Sequence, residues 1–124
     1  MKRLVEAFTR FALRHTLPEQ ARHDMYVALD EVISNAVKHG KPRGGKMRLE
    51  LSLADATLQA IFTDDGPAFN PLQAPRPNTD QPLMDRPIGG LGILLMTELM
   101  DTVRYTRESE SNRLVLRKKL SRPR

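Results

Sequence analysis

Residues 28–40 read ALDEVISNAVKHG, and the fold turns on this stretch. Leu29, Val32, Ile33 and Ala36 recur at helical spacing, and Met25 carries the apolar stripe one turn earlier. Glu31 and Asn35 stand four residues apart, one above the other, on a face far round the helix from that stripe. Lys38 continues the row. A core has no use for these polar groups. A carboxylate can serve as a base, and a carboxamide oxygen can hold a hard cation such as Mg²⁺. Taken alone, the segment reads first as a solvated helix face.

Working outward, the periodicity predicts a helix over residues 17–39. Thr16-Leu17-Pro18-Glu19 fits a capping box, with Thr16 as N-cap, and Pro18 suits a first turn because it needs no partner for a backbone N–H. Gly40 stands where a left-handed residue would end the helix, and 41–45 is a loop. Residues 3–15, with Leu4, Ala7, Phe8, Phe11 and Ala12 at helical spacing, predict an amphipathic helix; Arg10 and Arg14 interrupt any signal-peptide core. Downstream, Met47, Leu49, Leu51 and Leu53 alternate with polar residues over 46–54, the period of a half-buried strand. Asp55-Ala56 makes a tight turn. A second strand carries Leu58, Ala60 and Phe62 and ends near Asp64. Residues 66–90 are punctuated by prolines and carry no periodicity, which predicts a long loop. A short helix over 91–100 follows, then strands at 101–107 and 113–120 turning near Glu110-Ser111-Asn112. This order predicts a two-layer α+β sandwich, helices on one face of a mixed or antiparallel sheet, in a single domain over 1–124.

Two further segments could carry chemistry. FTDDGPAFNP, residues 62–71, places Asp64 at a strand end. There a carboxylate can accept a hydrogen bond from the exocyclic amine of a purine, and Gly66 lets backbone approach the base. Asp-Gly is also a plain turn signal. RPIGGLGILLMTELMD, residues 86–101, sets three glycines at a helix start, where exposed N–H groups and partial positive charge suit a phosphate. No Gly-Lys-Ser/Thr follows, so this is not a Walker A loop. By itself the cluster is equally a hinge.

Composition bounds the rest. The 124 residues contain no cysteine, which excludes disulfides, thiolate metal sites and a cysteine nucleophile. No apolar run reaches the ~20 residues of a membrane span. The net charge of +5 gathers in a basic tail, about 117–124. Such charge suits nucleic acid, nucleotide phosphates or an acidic partner, and equally a solvated strand and frayed end. Direct nucleic-acid binding lacks a recognition-helix pattern and a set of stacking aromatics.

The three segments, in this order and setting, resemble the GHKL (Bergerat, histidine-kinase-like) ATPases. Over residues 3–120 the chain is similar to the anti-sigma-factor serine/threonine kinases within that group. The resemblance implies ATP or ADP and Mg²⁺ as ligands, with Asn35 holding the metal and Glu31 acting as catalytic base. Asp64 would meet the adenine amine, with Gly66 and Ala68 beside the base. Gly89, Gly90, Leu91, Gly92 and Ile93 would wrap the phosphates as part of a lid over 67–92, with Lys38 and Arg86 as phosphate neighbours. His39 would cap or pack. The implied partners are a sigma factor and an anti-anti-sigma (STAS-domain) protein, with homodimerisation through the sheet region, in the cytoplasm. A non-catalytic, nucleotide-dependent partner switch of the same fold is the alternative, and a basic nucleic-acid-binding domain a further one. The chain departs from the family pattern where Asp-Gly-Pro-Ala replaces Gly-x-Gly, and where it enters its first helix without a preceding strand.

Overall fold

A computed structural model describes residues 2–39, 45–73 and 88–120. Its elements are α1 (Lys2–Arg14), α2 (Glu19–His39), β1 (Met47–Ala54), β2 (Thr57–Asp64), a 3-10 turn (Pro71–Gln73), α3 (Ile88–Leu99), β3 (Thr102–Glu108) and β4 (Ser111–Lys119). The four strands form one antiparallel sheet in the order β1-β2-β4-β3. The helices cover one of its faces, so the predicted two-layer α+β sandwich is what forms.

The alternation in β1 and β2 decides which face that is. Leu58, Ala60 and Phe62 point under the helices and are buried, while Leu49, Leu51 and Leu53 extend the same face on the β1 edge. Leu114 and Leu116 of β4 continue it. From above, α2 lowers Met25, Leu29, Val32 and Ile33 into this surface, α1 adds Phe8 and Ala12, and Met96 of α3 closes the end. Each fully buried side chain of this size stabilises the fold by about 1.5–3 kcal/mol. Asp55 and Ala56 take φ of 51° and 58°, both left-handed, as a two-residue turn that matches strand twist requires.

Three boundaries differ from the sequence expectation. Thr16 does not cap α2. It ends α1 in a left-handed conformation with φ 49°, its N–H bonding the Leu13 carbonyl and the Leu17 N–H bonding that of Ala12. That is a Schellman ending, and buried Leu17 supplies its apolar contact. The first α2 bond instead runs from the Arg22 N–H to the Pro18 carbonyl. Secondly, the last hairpin turns at Ser109-Glu110, so Ser111 and Asn112 belong to β4. Thirdly, α3 starts at Ile88, which puts all three glycines inside the helix. Residues 40–44, 74–87 and 121–124 lie outside the described residues. So do the expectations that fall there: the Gly40 helix end, most of the lid, Arg86, and the end of the basic tail.

The basic C-terminal strand is not uniformly solvated. Lys118 turns inward and pairs with buried Asp24 of α2 at 3.1 Å, while its Nζ also donates to the Leu99 carbonyl at 2.8 Å. Among the described residues no helix is long and apolar enough to cross a membrane.

Candidate functional site

A small cleft, open to solvent, lies between the C-terminal half of α2 and the end of β2. Asn35, Ala36 and His39 form its helical wall, Phe62 and Asp64 its floor, and Pro67, Phe69 and Pro71 its outer rim. Met96 and Asn112 close the remaining sides. Two expected site residues from separate segments, Asn35 and Asp64, thus share one cavity. They meet because α2 crosses the sheet above the point where β2 ends.

Asp64 is held from two directions. Its Oδ1 accepts the Gly66 N–H at 2.9 Å and the Asn112 Nδ2 at 3.1 Å. Among the described residues its Oδ2 makes no hydrogen bond. Gly66 is buried, and its carbonyl accepts Arg107 Nη1 at 2.7 Å, which pins the turn. The rim is stiffened by His39 stacking on Phe69, with ring centroids 4.2 Å apart. The packing role expected of His39 is met, on the cavity wall.

Glu31 lies one helical turn before Asn35 and is half-buried. Burial pushes its carboxyl above the ordinary value, Asp30 adds to that, and Lys38 opposes it. A Cβ placed on Gly92 would run into the Glu31 carboxylate. The absent side chain at 92 therefore leaves the room that the Glu31 carboxylate occupies between α2 and α3. Glu31, Lys38, Gly66, Ala68, Gly92 and Ile93 are not among the cavity's lining residues. Lys38 and Ala68 are exposed, and Ile93 packs against the core. Gly89, Gly90 and Leu91 sit in the first turn of α3, whose leading N–H groups have no partner within the helix.

Sequence reading missed Asn112 and Phe69. An Asn beside Glu-Ser reads as turn chemistry, and only the register Asp64↔Asn112 reveals its place. Phe69 carries no role in the sequence reading, and its only signal there is an aromatic between Pro67 and Pro71.

The groups suit a nucleotide by their chemistry: the Asp64 carboxylate lines a largely apolar cleft with one oxygen bonded, and the Asn35 carboxamide in its wall stands one turn from the Glu31 carboxylate of raised pKa. No cluster of three His, Cys, Asp or Glu exists among the described residues, so a cation here would depend on Asn35 and on oxygens brought by the ligand.

The fold is a two-layer α+β sandwich with a cleft at the end of β2, and comparison with known proteins names its class. The family described as the histidine kinase-like ATPase domain matches residues 1–118, and the chain belongs to it. It is 30% identical over 107 residues to the serine/threonine-protein kinase BtrW of Bordetella bronchiseptica, covering 85% of this chain and 75% of that one. It is 33% identical over 91 residues to the serine-protein kinase RsbW of Halalkalibacterium halodurans, covering 69% and 56%. The Bacillus subtilis RsbW is 32% identical over 92 residues, covering 69% and 58%. The chain thus spans a little over half the length of these RsbW relatives. Among solved structures, the Acinetobacter baumannii histidine kinase AdeS superposes with a TM-score of 0.56 at 17% identity, over 82% of this chain and 48% of that one. That likeness concerns the fold alone.

Proposed function

We propose that this chain is an ATP-dependent protein serine/threonine kinase, and that the cavity shared by Asn35 and Asp64 receives the adenine nucleotide. That shared cavity is the observation that carries the reading. Asp64 Oδ2 accepts the adenine amine. Asn35 offers its carboxamide oxygen to Mg²⁺, which supplies charge neutralisation at the phosphates. Lys38, Arg86 and the first turn of α3, Gly89 to Gly92, with Ile93 behind it, attend the phosphates. Glu31 accepts the proton of the attacking hydroxyl as its oxygen bonds to the γ-phosphorus and ADP leaves. A raised pKa suits a base, because it strengthens proton affinity. The resemblance to anti-sigma-factor kinases supports a serine or threonine of an anti-anti-sigma (STAS-domain) protein as acceptor and a sigma factor as sequestered partner, with homodimers, in the cytoplasm.

The test is calorimetric titration of ATP and ADP, with and without Mg²⁺, on the wild type, Asp64→Asn and Asn35→Ala. Asp64→Asn should lower affinity by at least about 100-fold, since an amide NH₂ can be turned toward the adenine amine and the acceptor is weakened. Asn35→Ala should bind nucleotide but lose the magnesium dependence. Unchanged affinity in both variants would remove the site assignment. ATP binding by wild type without transfer to a STAS-domain protein would leave a nucleotide-dependent switch.

A further inference from the structure

Asn112 is one of two buried polar residues in the described chain, 5% exposed, and its carboxamide is fully used. Its Nδ2 donates to Asp64 Oδ1 at 3.1 Å and to the Pro67 carbonyl at 2.8 Å. Its Oδ1 accepts the Phe69 N–H at 3.2 Å and the Tyr105 hydroxyl. Turning the amide over would set its oxygen against two acceptors and its NH₂ against two donors, so the orientation is fixed by its neighbours. One side chain therefore ties the end of β2, the turn 66–69 and β3 together. Its position opposite Asp64 in the sheet register makes this possible.

We propose that Asn112 is a positioning residue that sets the preference for adenine over guanine nucleotides; this rests on the nucleotide reading above. By occupying Oδ1 from one side while Gly66 N–H occupies it from the other, Asn112 fixes the carboxylate plane and leaves Oδ2 as the acceptor for a base in the cleft that Asp64 lines. Adenine carries a donor, its exocyclic amine, at the purine 6-position. Guanine and hypoxanthine carry a carbonyl oxygen there, which would meet Oδ2 acceptor to acceptor. The same carboxamide holds the Pro67 and Phe69 backbone that forms the rim. Without Asn112 the Asp64 carboxylate can rotate, and the discrimination relaxes.

The experiment is titration of ATP, GTP and ITP against wild type, Asn112→Ser, Asn112→Asp and Tyr105→Phe, with thermal unfolding of each. Wild type should bind ATP at least about 100-fold more tightly than GTP or ITP. Asn112→Asp should lose about tenfold or more in ATP affinity with GTP and ITP changed less than about threefold, so that the selectivity ratio falls. Asn112→Ser, which keeps one donor, should fall between. Tyr105→Phe leaves the Asp64 contact intact, relaxes only the acceptor side of Asn112, and should lower the ratio by a few-fold. A merely structural Asn112 would lower the melting temperature or weaken all three nucleotides equally, and a constant ratio across the variants overturns the proposal. Failure of wild type to bind any of the nucleotides would instead remove the nucleotide reading, and this inference with it.

Discussion

At the scale of single residues, Thr16 holds a conformation its side chain disfavours. A β-branched residue at φ 49° carries roughly 1–2 kcal/mol of steric penalty. It persists because the Schellman bonds and the burial of Leu17 determine the path of the chain between α1 and α2. Thr16 is exposed, so its side chain can be removed without opening a cavity. Thr16→Gly should stabilise the fold by about 0.5–1 kcal/mol, the relieved strain less the extra freedom of glycine in the unfolded chain. Urea unfolding reads this directly, and a loss of stability would show that Thr16 makes a compensating interaction. The residues of the site were unevenly legible. Asn35 and Asp64 were recognisable because they sit in short local motifs, residues 28–40 and 62–71, whose order carries the resemblance to the family. Asn112 was not, because its partners lie at least 43 residues away apart from Tyr105.

At the scale of elements, the approach of α3 to α2 is the feature with the clearest consequence. Gly92 faces the Glu31 carboxylate, and an added methyl would displace it. The displaced atoms are the far end of a flexible side chain, so the fold can absorb the change. A glycine-to-alanine exchange inside a helix also favours the helix by about 0.5–1 kcal/mol. Gly92→Ala should therefore keep or raise the melting temperature. If Glu31 is the base, phosphotransfer should fall by about 10²-fold, with nucleotide affinity much less affected. Unimpaired turnover in this variant would detach Glu31 from the chemistry. The elements themselves were largely readable. Period-2 alternation in 46–54 and 57–64 and the helical stripe of 25–36 are local signals. The start of α3 was not, since glycine-rich sequence argues against helix, and packing against α2 overrides that propensity.

At the scale of the whole molecule, Asp24 joins the layers. Buried in α2, it accepts Gln20 Nε2 at 2.8 Å and pairs with Lys118 of β4, which also reaches the last turn of α3. Burial pushes its carboxyl up, but the hydrogen bonds from Gln20 and Lys118 and the Lys118 charge together hold it below the ordinary value. A folded-state pKa below the unfolded one adds stability that is present above the unfolded value and lost as pH falls through the folded one. The loss therefore falls below about pH 4. Asp24→Asn leaves Lys118 without its counter-charge and should cost about 2–4 kcal/mol at pH 7. The gap to wild type should narrow as pH is lowered through this range. Denaturant unfolding at a series of pH values checks it, and a gap independent of pH would mean that the charge of Asp24 contributes nothing.

The sequence by itself determined the class of the fold and singled out the three segments proposed to carry its chemistry. Those depend on periodicity, turn residues and side-chain type, which act over a few residues. Tertiary structure alone decided that Asn35 and Asp64 open into one cavity, that Asn112 lies beside Asp64, that Lys118 turns inward, and that Thr16 closes a helix instead of starting one. Each of those results depends on groups made neighbours by strand register or by the path of the chain across the sheet, and local pattern carries no record of such distances.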